Sequence, residues 1–206
     1  MNLETSRLLG GIGALLMFIG VIPFVSYYGI VEIIGVILVL GALYGLGSFY
    51  KDSAIYNNAI YGVIAGVVGV VVAIAVAIVM VLSNITDFLT KIFPSWNGDW
   101  STLPSLSGIT PNMSNLSFGD IIPFITAGIM VFVILWVFSI IAAFLFRRSL
   151  IQLSTKSNVG LFGTAGLLLL IGAILVIVIF GLLLMWIAAL LLAIAFFRLK
   201  TTQTLQ

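Results

Sequence analysis

Of 206 residues, 63% are hydrophobic and 7% charged, with a mean hydropathy of +1.36. Soluble domains are about a quarter charged, so this composition excludes a water-soluble globular fold and places the chain in a bilayer. The absence of His and Cys removes imidazole and thiolate ligands for zinc, copper or iron, and with them Cys–His and Ser–His–Asp catalysis and disulfides. No metal or cofactor is expected. The net charge of +2 includes no basic patch interleaved with aromatics, so nucleic acid is not an expected partner.

A span needs about 20 apolar residues, and the chain supplies six candidates. The first runs from Leu8 to Val25, with Pro23 near its end, and Ser26-Tyr27-Tyr28-Gly29 turns it into a second that closes near Tyr50. Met1 to Arg7 reads as the start of a retained span, not a cleavable signal. A third span covers Ala54 to Leu82, and a fourth covers Ile121 to Phe146, closed by Arg147-Arg148. Val159 to Phe197 is an uncharged run of 39 residues. As one helix it would reach about 58 Å, nearly twice the hydrocarbon thickness, so it must fold back, most simply near Gly181. The expected architecture is all-α, a single domain of two tight hairpins and two longer spans.

Orientation follows the basic residues. A cytoplasmic N-terminus puts Arg7, Lys51, Arg147, Arg148, Lys156, Arg198 and Lys200 inside and only Lys91 outside, and returns the C-terminus to the cytoplasm of a cell-membrane protein. The segment from 83 to 120 is then an external polar loop. Its first part spaces Ile85, Phe88, Leu89, Ile92 and Phe93 as one helical face ahead of Pro94. That stripe predicts a short helix lying in the outer interface; a straight extension of the third span is the alternative. Trp96 and Trp100 suit the headgroup level, and the Ser-, Asn-, Gly- and Pro-rich remainder is too short to bury a core. Three N-x-S/T sequons, at Asn84, Asn112 and Asn115, all fall in this loop, as glycosylation acceptors on the external side would.

Small residues let helix backbones approach where lipid removes the hydrophobic drive. Ala65, Gly69, Ala73 and Ala77, flanked by Gly62 and Gly66, predict a packing seam on the third span, used within the chain or against another copy. Gly41 with Gly45 and Ala189 with Ala193 offer similar faces. Leu9-Gly10-Gly11-Ile12-Gly13 leading to Gly20 echoes Phe162-Gly163-Thr164-Ala165-Gly166 leading to Gly172, a hint of a duplicated hairpin.

Ionisable groups inside a membrane are functional candidates because they are expensive to bury. Glu32 is one: it would bind a cation or proton, pair with Lys91, or simply sit in the first turn of a helix, where the dipole suits a carboxylate. The link Tyr50-Lys51-Asp52-Ser53-Ala54-Ile55-Tyr56-Asn57-Asn58 holds the densest polar chemistry. Asp52 or Ser53 would cap the third helix, and Asp52, Asn57 and Asn58 would otherwise form a docking surface for a partner or a headgroup.

Taken together, Leu9-Gly10-Gly11-Ile12-Gly13, Pro23 before an aromatic turn, and Asp52-Ser53-Ala54-Ile55-Tyr56-Asn57-Asn58 resemble an archaeal integral-membrane family, domain of unknown function 996. The likeness is clearest over the first 60 or so residues. It implies a polytopic membrane protein of archaeal origin, with no activity, substrate or catalytic residue to carry over; where this chain has Tyr56, members often have Phe. Two functions then stand: a non-enzymatic scaffold or accessory subunit in contact with lipid and with other subunits or itself, or a transporter or channel for a small or apolar solute with the Glu32 region as its mouth. An enzyme is not expected, because Asp52 and Glu32 fall on opposite faces of the membrane and no acid–base pair can cooperate.

Overall fold

The computed structural model describes residues 2–22, 29–178 and 180–200, and these residues form helices and connecting turns without strands. Six helices are long and apolar enough to cross a membrane. They are α1 (Leu3–Gly20), α2 (Ile30–Phe49), α3 (Ser53–Ile92), α4 (Phe118–Ser157), α5 (Leu161–Ile174, continued as a 3₁₀ turn through Val178) and α6 (Phe180–Phe197). Further 3₁₀ turns cover Trp100–Leu106 and Met113–Asn115. The chain is a multi-pass membrane protein. Pro23 and most of the first predicted turn lie outside the described residues.

The helix ends are encoded locally. Asn2 caps α1, its side-chain oxygen accepting from the Thr5 N–H at 2.8 Å. Gly29 enters α2 at φ 76°, a conformation in which a Cβ is strained. At the end of α2, Lys51 N–H bonds Ser48 O at 3.4 Å and Asp52 N–H bonds Gly47 O at 2.9 Å, the two bonds of a Schellman motif. The left-handed position of that motif, usually glycine, is filled by Lys51 at φ 52°. Asp52 then caps α3 by accepting from Ala54 N–H at 3.0 Å.

One sequence expectation is corrected in α3. Residues 83 to 92 continue α3 as one uninterrupted helix of 40 residues and do not form a separate interfacial helix. The segment from 83 to 120 is therefore a loop only between Ile92 and Phe118. The polar residues that suggested an end bond back into the helix: Ser83 Oγ donates to Val79 O at 2.7 Å, and Asn84 Nδ2 to Met80 O at 2.8 Å. No Gly or Pro occurs between Gly69 and Pro94 to stop it. At 1.5 Å per residue, α3 and α4 each run to about 60 Å, well beyond the hydrocarbon thickness.

Contacts cluster into two compact units, residues 1–67 with 136–206, and residues 68–135. The first contains both hairpins. Its buried core joins Leu3, Val39, Leu43, Leu46, Ile55, Leu150, Leu153, Phe162, Leu192 and Phe196, with the Phe162 and Phe196 rings edge to face at 5.1 Å. Within it α1 packs on both α2 and α6, and its glycines divide between the two partners. A Cβ on Gly10 would strike the Phe196 ring at 2.3 Å and one on Gly11 the Phe197 ring at 2.5 Å, whereas one on Gly13 would lie 2.7 Å from Gly35 O. Gly35 is reciprocal, 2.6 Å from Gly13 O.

The second hairpin carries the 3₁₀ turn Leu175–Val178 just ahead of Gly181. That glycine packs against Gly172, where a Cβ on Gly181 would stand 2.2 Å from Gly172 O. Two tryptophans satisfy main-chain groups of this unit. Ile22 N–H turns to Ile19 O, and Trp186 Nε1 donates to Phe18 O at 2.8 Å while its ring stacks on Phe18 at 4.6 Å. Trp136 Nε1 donates to Ile174 O at 3.2 Å, where α5 tightens into 3₁₀.

In the second unit, Phe88 and Phe124 meet edge to face at 5.1 Å, and Asn112 N–H bonds Ile92 O at 2.9 Å. Trp96 is not a headgroup anchor: it is buried, donating to Asp99 O at 2.9 Å, with Trp100 edge to face at 5.5 Å.

Candidate functional site

The structure gathers part of the predicted link chemistry into a cleft of about 340 Å³, lined by Tyr44, Gly47, Ser48, Lys51, Asp52, Ser53, Tyr56 and Asn57. The cleft exists because the Schellman turn brings the last turn of α2 back against the first turn of α3. Tyr44 and Tyr56 then meet edge to face at 5.2 Å across the two helices. Asp52 is partly buried and committed twice, to the Ala54 N–H and to Lys156 at 3.8 Å. Lys51, Ser53 and Asn57 are exposed around it, so the cleft is open and mixed in charge. Asn58 is half-buried and does not line it. Such an arrangement can bind a polar group.

Glu32 stands apart from this cleft. It occupies the first turn of α2, and its side chain packs over Gly20 of α1, where a Cβ would lie 2.7 Å from Glu32 Cδ. Lys91, the candidate partner named from the sequence, has its Nζ hydrogen-bonded to Asp120. Asp120 stands in the first turn of α4 and Lys91 in the last turn of α3.

This ion pair belongs to a second cleft of about 330 Å³, lined by Asn84, Asp87, Phe88, Thr90, Lys91, Gly119, Asp120 and Pro123. The sequence singles out Asn84 as a sequon, Phe88 in the apolar stripe and Lys91 as a candidate partner of Glu32, without joining Lys91 to Asp120. A usable signal was present: Ser117-Phe118-Gly119-Asp120 ahead of an apolar run is a capping-box pattern. Asp120 Oδ2 accepts from the Ser117 N–H at 2.9 Å and hydroxyl at 2.8 Å. Asp120 precedes the apolar span at Ile121, and the Lys91 hydrogen bond, followed by those from Ser117, holds its carboxyl down at about 2.

The packing seam on α3 is also redrawn. Gly62 is close-packed, a Cβ there lying 2.9 Å from Ala142 O of α4, and Gly69 and Ala73 are buried. Ala65 and Ala77 are only half-buried, and Gly66 has no neighbour within 4 Å of its Cβ position. Residues four apart advance about 40° round a helix at each step, so the run from Ala65 to Ala77 cannot hold one face. The buried register is Ile55, Ala59, Gly62, Gly69 and Ala73. Gly45 on α2 is buried while Gly41 is open, and Ala189 and Ala193 on α6 are buried as expected.

The three sequons differ in surroundings. Asn84 lies inside α3, half-buried, its amide nitrogen bonded to Met80 O. Asn112 and Asn115 are exposed; Asn112 Oδ1 accepts from Ser114 N–H at 3.0 Å.

Compared with known proteins, residues 31–190 match the family model described as protein of unknown function (DUF996). The match contains the Asp52–Asn58 motif, starts after the Leu9–Gly13 and Pro23 motifs, and extends far beyond the first 60 residues. No curated protein and no solved structure matches the chain.

Proposed function

The chain belongs to the family of unknown function DUF996, and we propose that it is a non-enzymatic scaffold or accessory subunit of a membrane complex. It sits in the cell membrane with both termini in the cytoplasm. One observation carries this reading. In their most apolar windows α3 and α4 bury only 11% and 6% of their residues within the chain, against 28–39% for the other four spans. Lipid covers outward Val and Ile well, but it gains nothing from an outward glycine, which also weakens the helix. Gly66 on α3 and Gly128 on α4 meet nothing within 4 Å. A glycine on a lipid-facing surface is useful where another helix backbone comes close. The partner is a helix of another membrane subunit or of a second copy, with membrane lipid around both.

The test is extraction from native membranes in mild detergent, followed by sizing and identification of co-eluting chains. An assembly of fixed stoichiometry is expected, and a lone monomer would contradict the proposal. The rival reading, a transporter or channel for a small or apolar solute, rests on the Glu32 carboxylate lodged against Gly20 between two spans. It requires Glu32→Gln to change solute or ion flux in proteoliposomes; a scaffold is indifferent to that substitution.

A further inference from the structure

N-linked glycosylation joins an asparagine side-chain nitrogen to a sugar. It requires an accessible amide together with an available hydroxyl two residues on. The chain offers three such pairs, and the structure treats them differently. Asn84 fails on the amide. It lies within the continuous helix α3, half-buried, and its Nδ2 is held by Met80 O at 2.8 Å. Asn115 fails on the hydroxyl: Ser117 Oγ donates to Asp120 Oδ2 at 2.8 Å, and the Ser117 N–H is bound to the same carboxylate, which Lys91 also holds. To present that sequon the chain would have to open the cap of α4.

Asn112 meets both requirements. It is exposed, as are Met113 and Ser114, and it follows an exposed run from Ser107 to Pro111. Its Oδ1 accepts from the Ser114 N–H at 3.0 Å, an Asx turn that folds the sequon on itself while both Asn112 and Ser114 stay exposed. Its main-chain N–H is fixed to Ile92 O at 2.9 Å, which anchors the turn to the end of α3.

We infer that Asn112 is an N-glycosylation site and that Asn84 is not. This rests on the external placement of the 93–117 connection. The co-reactant is an oligosaccharide carried on a lipid phosphate, transferred by a membrane-bound oligosaccharyl transferase. Asn112 Nδ2 attacks the anomeric carbon and a C–N bond forms. The bond from that carbon to the phosphate oxygen breaks, the lipid phosphate leaves with the bonding pair, and the amide gives one proton to a base of the transferase.

The test is peptide mass spectrometry on the protein purified from its native membranes, alongside single-Cys labelling of intact cells at Ser101→Cys and Thr155→Cys. A glycan mass is expected on the peptide containing Asn112. It should vanish in Asn112→Gln and in Ser114→Ala and persist in Asn84→Gln, with Ser101→Cys labelled from outside and Thr155→Cys only after permeabilisation. A glycan on Asn84 would overturn the structural discrimination. Unmodified Asn112 with Ser101→Cys labelled from outside would overturn the inference itself. Labelling of Thr155→Cys alone from outside would overturn the topology, and the inference with it.

Discussion

Replacing Gly35 by Ala on α2 isolates the close approach of the first two helices. The new Cβ would stand 2.6 Å from Gly13 O and 2.9 Å from Met17 N, both main-chain atoms that no rotamer change can move. Ordinary contact begins near 3.4 Å, so α1 and α2 must separate locally by roughly 0.8 Å, which strains or opens the packing around Val39 and Ala14. Overpacking of this kind costs about 1–3 kcal/mol. Gly41→Ala in the same helix is the control: its Cβ meets nothing within 4 Å, and it carries the same propensity gain of up to about 1 kcal/mol without the clash. The two variants should differ by about 2 kcal/mol or more, with Gly41→Ala at or above the parent. Reversible unfolding by sodium dodecyl sulfate in mixed micelles, followed by tryptophan emission, reads the difference through Trp186, which stacks on Phe18 of α1. Variants that agree within about 0.5 kcal/mol would refute the backbone-contact reasoning.

Trp186→Phe keeps the stacked ring but leaves Phe18 O without its donor, and should cost about 1 kcal/mol in the same titration; no loss would show that the carbonyl finds another partner. Lys51→Gly removes a side chain from the left-handed position at the end of α2, and should stabilise the protein by about 1 kcal/mol; destabilisation would mean that the lysine side chain itself supports the link. Asp120 has its carboxyl lowered from 3.8 to about 2 in the folded protein. Its contribution is therefore complete above the unfolded value of 3.8 and is lost as pH falls through about 2. Emission of the buried Trp96 and amide exchange at Asn112 should accordingly hold steady from neutral pH to about 4 and change only below. A transition between pH 4 and 5 that is absent in Asp120→Asn would contradict this assignment.

The six spans were legible because apolar runs of this length have no alternative in water, and the cap at Asp52 because capping is local chemistry. The register of the helix faces was not. Ala65, Gly66 and Ala77 matched a small-residue pattern, yet which glycines meet a backbone depends on the crossing of two helices, as with Gly13 and Gly35. Polarity at Ser83 and Asn84 looked like an exit from the membrane, but their side chains bond to the preceding turn and leave α3 intact. Trp96 looked like an interfacial anchor and is instead buried in its own connection. Around the candidate clefts, sequence located Asp52 and Asn57 by density of polar residues. It missed Lys91 with Asp120, because a pairing across 29 residues follows from where α3 stops and α4 starts.

The central claim is that α3 and α4 present faces to another polypeptide. A photo-cross-linking amino acid placed at Gly66, and separately at Gly128, in protein held in its native membranes tests it most directly. The account predicts cross-links from both positions to a second polypeptide chain, with none from Gly62, which is already packed on Ala142 of its own chain. Cross-links from Gly66 and Gly128 to lipid alone would contradict it.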